Sequence, residues 1–176
     1  MPADAFTIRR LSAEESNTAI GALTDLLIDC GQGGVSVSFM WPLPQERALA
    51  FWHGVAQGVV EGRRLLLVAE DAAGQIVGTV QLIVDLPDNQ PHRADVAKML
   101  VHRSARRHGV AQRLLAALDE AARTEGRTLL VLDTVTGGGA ERLYARCGWQ
   151  RVGSVPGYAL MSDGAPCGTS FFYKAI

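Results

Sequence analysis

The spacing of apolar positions changes along the chain, and each change marks an element. Phe6-Thr7-Ile8-Arg9-Arg10 alternates apolar and polar, which predicts a short first strand. Ser12, followed by Glu14 and Glu15, predicts a helix start with its carboxylates at the positive end of the helix dipole. Ile20, Leu23, Leu26 and Leu27 share one face of that helix, which is expected to stop near Gly31. Gly33, Gly34 and Pro42 mark a loop carrying Phe39, Met40 and Trp41. A second helix is expected from Pro44 to Val60, striped by Leu49, Trp52, Val55 and Val59.

The pattern then shortens to that of strands. Leu65 to Glu70 is an apolar run, and Gly74 punctuates a hairpin into Ile76 to Val84. Asp85 to His92 reads as a polar loop, followed by a strand from Asp95 to Val101. Val96, Met99 and Val101 break the regular alternation of that strand, which predicts a β-bulge near Ala97 to Met99. From Gly109 to Glu125 the helical stripe returns in Val110, Leu114, Leu115, Leu118, Ala121 and Ala122, with Gly126 as the stop. Thr128 to Leu132 is a continuous apolar strand, expected to be buried on both faces. A shorter helix from Gly137 to Cys147 and strands over Gln150 to Leu160 and Thr169 to Lys174 complete the chain. This order predicts one α/β domain over residues 1–176, a mixed and mostly antiparallel sheet of about seven strands flanked by about four helices.

Composition narrows the function classes. With 176 residues, 48% of them hydrophobic, the chain can bury a core and is not a disordered segment. A net charge of -1, with no basic stripe, argues against nucleic acid as a partner. Cys30, Cys147 and Cys167 form no CxxC or Cys/His cluster, so free thiols and no metal site are expected. Met1 to Asp4 lacks the pattern of a secretory signal, and no apolar run reaches membrane length, so no membrane partner and a cytoplasmic location are expected.

Chemistry concentrates in a strand, a basic loop, a glycine and an amphipathic helix. The N–H groups at a helix start, with its partial positive charge, can bind a phosphate. Gly109 lets the backbone approach an anion, and Arg106, Arg107 and His108 add positive field. A Walker loop is excluded because no Gly-Lys-Ser/Thr follows, and a dinucleotide fingerprint because only one glycine is present. On this pattern alone, a helix start with solvated arginines remains an equal reading.

Val101 to Leu115 resembles the central motif of the GCN5-related N-acetyltransferase (GNAT) superfamily, with Arg106, Gly109 and Ala111 on its fixed positions. Leu129 to Asp133 and then Leu143-Tyr144-Ala145-Arg146-Cys147-Gly148-Trp149 resemble the second motif. A closer similarity, to members that inactivate a β-lactam amino-acid toxin, runs through Gly33 to Met40, Arg93 to Lys98, Leu132 to Thr134 and Val152 to Tyr158. The resemblance implies acetyl-CoA as donor and direct transfer to the amine of a small amino-acid-like molecule. It implies that Met99, Leu100 and Val101 pair through their backbone with the pantetheine arm, Leu100 N–H serving the oxyanion. Arg106, Arg107, His108, Gly109, Val110, Ala111 and Gln112 would hold the phosphates. Gly137 stands where many members carry asparagine, so one side-chain contact to CoA is expected to be missing.

For catalysis, the resemblance gives Tyr144 as the acid that protonates the thiolate, and Asp133 and Asp95 as a water-mediated base. Each has a structural alternative. Tyr144 could pack against Trp149, Asp133 could bond to the next helix, and Asp95 could pair with Arg93 or Lys98. Asp133, at the end of an apolar strand, is expected to be buried. Gly33 to Trp41 and Asp85 to His92 are expected to wall the acceptor site, made acidic by Asp95 and Asp133 to suit a cationic amine. A protein N-acetyltransferase and a non-catalytic acyl-CoA-binding module are the competing classes. The oligomeric state, monomer or homodimer, stays open.

Overall fold

The computed structural model describes residues 6–176, so the reading of Met1 to Asp4 lies outside the described residues. The elements run β1 (Phe6–Arg10), α1 (Ala13–Thr18), α2 (Ile20–Gln32), α3 (Gln45–Val60), β2 (Arg64–Asp71), β3 (Ile76–Ile83) and β4 (Arg93–Val101). They continue with α4 (Val110–Thr124), β5 (Leu129–Val135), α5 (Gly139–Arg146), β6 (Gln150–Leu160) and β7 (Pro166–Ala175). A short 3-10 turn, Arg103–Ala105, separates β4 from α4.

The first expected helix is two. Ser12 and Glu15 form a reciprocal capping box that starts α1, and Ala19 ends α1 while heading α2. Among the described residues there are therefore five helices, one more than the apolar stripes indicated. The seven strands make one sheet in the order β1-β2-β3-β4-β5-β7-β6, antiparallel at every step except β4 with β5.

β2 shows how that sheet holds two layers of helices. Leu65, Leu67 and Ala69 join the core that includes Leu114, Leu115 and Leu118 of α4. Leu66 and Val68, alternating with them, join Leu23, Leu26 and Leu27 of α2 and Trp52 and Val55 of α3. The three α4 leucines are almost wholly buried, each contributing about 1.5–3 kcal/mol. Since no side chain caps α4, this packing is what seats it.

The expected bulge lies in β4. Thr79 registers with Leu100 and Gln81 with Ala97, so β4 has one residue more than β3 over this stretch. Lys98, inside the bulge, takes a left-handed φ of 51°. On the other edge, β4 pairs with β5 only from Arg93↔Leu129 to Asp95↔Val131. Beyond that point β5 pairs with β7 alone, and the two parallel strands separate. The resulting opening at their C-terminal ends is the main interruption in the sheet. β5 itself is less enclosed than expected: Leu130 and Leu132 are buried, while Leu129 and Val131 are half-buried.

Candidate active site

One wall of the opening is β4 and the loop that follows it. His102 N–H donates to Val77 O at 2.8 Å and Ala105 N–H to His102 O at 2.9 Å, so the loop is held by its backbone. Asp29, on α2, accepts from the Arg103 N–H at 2.9 Å and from its Nε at 2.7 Å. His102 Nε2 lies 3.3 Å from the same carboxylate. Burial pushes the Asp29 carboxyl up, but the Arg103 hydrogen bonds and the nearby charges outweigh it and hold the group below its usual range.

Arg107 and Gly109 both adopt left-handed conformations, with φ of 66° and 78°. They turn the chain into the start of α4, where the N–H groups of Val110, Ala111 and Gln112 have no intrahelical partner. A Cβ built on Gly109 would meet nothing within 4 Å, so the space above this start is open. These features fit a diphosphate, as a concave run of main-chain donors does in general. Arg106 departs from expectation. Its Nε donates to Val101 O at 3.1 Å and its Nη2 is sealed in without a partner, so the side chain braces the end of β4 from within. Arg107 is exposed, while the His108 ring lies 6.3 Å from that of Phe6.

Across the opening stand β5 and α5. Tyr144 is buried between Trp149 and Phe172, each ring centroid 5.9 Å away. The packing expected as the alternative is therefore present, the ring lying in the core and the hydroxyl without a hydrogen bond among the described residues. Burial pushes the phenol up to about 12, and the charge of Asp133 adds to the effect. Asp133 is exposed, contrary to the expectation of burial, because it lies past the last β4–β5 pair, where the strands have parted. It does not bond to the start of α5; the Gly137 N–H there is taken by Glu141 at 2.8 Å.

Asp95 is placed beside Val131, two residues before Asp133 on the neighbouring strand. Its carboxylate pairs with the Arg93 guanidinium, so its charge is already balanced. The opening is consequently less acidic than the sequence suggested. Lys98 sharpens the correction. Its Nζ donates to Ser38 Oγ at 2.8 Å and stands 5.5 Å from the centroid of the Phe51 ring. Burial pushes this ammonium below the usual lysine range, and the Asp133 carboxylate pulls it partly back. Sequence reasoning weighed Lys98 only as an ion partner for Asp95; the signal available was its place in the predicted bulge, which turns it out of register.

The expected walls divide. The loop at 33–44 reaches the opening through Ser38, and Trp41 N–H donates to Ser162 O at 2.9 Å in the β6–β7 turn. Phe39 and Trp41 pack on the α2–α3 core, whereas Met40 is 46% exposed. Asp85 to His92 is at the other end of β4, where Thr128 N–H donates to His92 O at 2.8 Å. Parallel pairing puts the closed ends of β4 and β5 there, so this loop does not border the opening. Among the described residues the three cysteines are free, no group could hold a metal ion, and no helix is long and apolar enough to cross a membrane.

Residues 62–151 match the acetyltransferase (GNAT) domain family, and the chain belongs to that family. A relative in Azospirillum brasilense, an uncharacterized N-acetyltransferase in the hisH-hisA intergenic region, is 34% identical over 113 residues. That match spans 63% of this chain and 65% of the relative, a little under two thirds of its length. A GCN5-related N-acetyltransferase from Kribbella flavida shares the fold with a TM-score of 0.80 at 20% identity, over 99% of this chain and all (100%) of that one. The yncA protein of Salmonella typhimurium, solved with its cofactor acetyl-CoA, superposes with a TM-score of 0.77 at 18% identity, over 97% of this chain and 93% of that one.

Proposed function

We propose that this chain is an acetyl-CoA-dependent N-acetyltransferase acting by direct transfer on the amino group of a small, amino-acid-like molecule. The observation that supports the reading is the parting of β4 and β5 after Asp95↔Val131, with Asp133 exposed just past it and its charge acting on the buried Tyr144 phenol. Acetyl-CoA supplies the thioester. Met99, Leu100 and Val101 lie past the last β4–β5 pair and would offer it that edge of β4, Leu100 N–H serving the carbonyl oxygen. Arg106, Arg107, His108 and Gly109 shape the turn that aims the Val110, Ala111 and Gln112 N–H groups at its phosphates.

An alkyl ammonium, with a pKa near ~10, must lose a proton before it can attack. Asp133 accepts that proton through a water, with Asp95 positioned on the same face one strand away. Tyr144 then gives its proton to the departing sulfur, and its raised pKa keeps that proton in place until it is needed. Within this class, a tabtoxinine-type β-lactam toxin is the most specific acceptor supported by the resemblance to the tabtoxin resistance protein. The stretches carrying that resemblance, Gly33 to Met40 and Val152 to Tyr158, lie outside the superfamily's own motifs.

Thiol release from acetyl-CoA, measured against α-amino acids, simple amines, the toxin and peptide N-termini, tests the proposal. Turnover with a free amino acid or the toxin supports it. Turnover with peptides alone would move the assignment to a protein N-acetyltransferase. Tight CoA binding with no turnover of any acceptor would leave only a binding module.

A further inference from the structure

Lys98 and Asp133 present opposite charges at the mouth of the opening. They approach from β4 and β5 and act on each other electrostatically without forming an ion pair. Each keeps capacity for a ligand. Asp133 has no hydrogen bond among the described residues, and Lys98 gives one of its three N–H donors to Ser38. The other carboxylate nearby, Asp95, is already matched by Arg93. What remains is one anion and one cation across a gap, the charge complement of a zwitterion rather than of a simple amine.

The surroundings of Lys98 strengthen this reading. A lysine turned into solvent would be an ordinary strongly hydrated charge. This one is placed by a left-handed residue in a β-bulge, half-buried against Phe51, and directed by Ser38 of the loop at 33–44. A partly desolvated ammonium with unused donors gains most from an anion that enters the site. We infer that Lys98 is a specificity-determining residue that binds the carboxylate of the acceptor, while Asp133 faces its amino group. Ser38 sets the direction of the ammonium and belongs to the same subsite. The inference rests on the acetyltransferase reading and adds to it a required anionic group on the acceptor.

The test compares matched acceptors: α-amino acids, their carboxamides and the corresponding decarboxylated amines, each with wild type, Lys98→Met and Lys98→Arg. Wild type should prefer the carboxylate-bearing member of each set. Lys98→Met should lower kcat/KM for it by about tenfold to a hundredfold, chiefly through KM, as expected for loss of a charged hydrogen bond. The carboxamide and the decarboxylated amine should change little, the KM for acetyl-CoA should stay constant, and Lys98→Arg should recover part of the preference. An equal loss on all three acceptors would make Lys98 a structural support for the loop and overturn the inference, as would a wild type indifferent to the carboxylate. Either result would leave N-acetylation itself intact. Absence of turnover with every acceptor would instead defeat the acetyltransferase reading and this inference together.

Discussion

The two sides of the opening are built from different materials. On the side proposed for the acetyl donor, the β4 bulge, the turn at 102–109 and the start of α4 are fixed by main-chain hydrogen bonds and by buried leucines. The contacts proposed for it are main-chain N–H groups, which every residue but proline supplies. On the side proposed for the acceptor, the groups are side chains: Lys98 donates to Ser38, and Asp133 acts on Lys98 through its charge. Backbone chemistry tolerates sequence change as long as the fold survives. Side-chain chemistry can be redirected by one substitution, so acceptor choice is the property of this fold most open to change.

The largest expected effect comes where the two sides meet. Tyr144→Phe keeps the ring between Trp149 and Phe172 but removes the hydroxyl proposed as the acid, and should lower kcat by about 10²–10⁴-fold with the KM for acetyl-CoA nearly constant. Steady-state kinetics would decide it, and unchanged turnover would return Tyr144 to the core. The sign of its pH dependence also follows. Because the phenol is pushed up to about 12, it stays protonated through the working range, so wild-type activity should not fall through tyrosine ionisation below that pH.

Next, the donor side can be broken alone. Gly109 has a φ of 78°, and a β-branched residue in that region costs roughly 1–2 kcal/mol. Gly109→Val should relax this turn, raise the KM for acetyl-CoA by about tenfold, and leave acceptor KM unchanged. A smaller effect should isolate the acceptor side. A Cβ on Gly31 would lie 2.6 Å from Trp41 Cζ3, so Gly31→Ala must displace the indole and with it the loop that carries Ser38. Acceptor KM should rise several-fold with acetyl-CoA KM constant; equal changes in both would erase the distinction between the sides.

The same distinction explains what was legible in the sequence. α4 left a strong periodic mark, and the bulge and the glycine turn left fainter local ones, since each is a local backbone device. The split of the first helix at Ala19 left none, because the stripe of Ile20, Leu23, Leu26 and Leu27 continues past it. Asp133 was misjudged as buried because an apolar run does not reveal where a neighbouring strand departs. The Arg93–Asp95 pair stood among the alternatives, whereas the setting of Lys98 depends on Ser38 and Phe51, 60 residues away in the chain for the former. Side-chain meetings of that range have no local signature.

Asp29 gives the smallest test, and it concerns how the donor side is anchored. Its carboxylate joins α2 to the turn at Arg103, with His102 3.3 Å away, and those contacts hold its pKa below the ordinary 3.8. A carboxylate with a depressed folded pKa contributes stability that is fully present above its unfolded value and is lost as pH falls through the folded one. Asp29→Asn removes the charge but keeps the shape. Its Tm should lie about 3 °C below wild type at neutral pH, and the gap should close as pH drops below the carboxylate range, where wild type loses the same charge. Thermal melts of both proteins across that range would show it. A gap that stayed constant in acid would mean that Asp29 anchors the turn by shape alone, and that the donor side depends on its backbone even more completely than its hydrogen bonds imply.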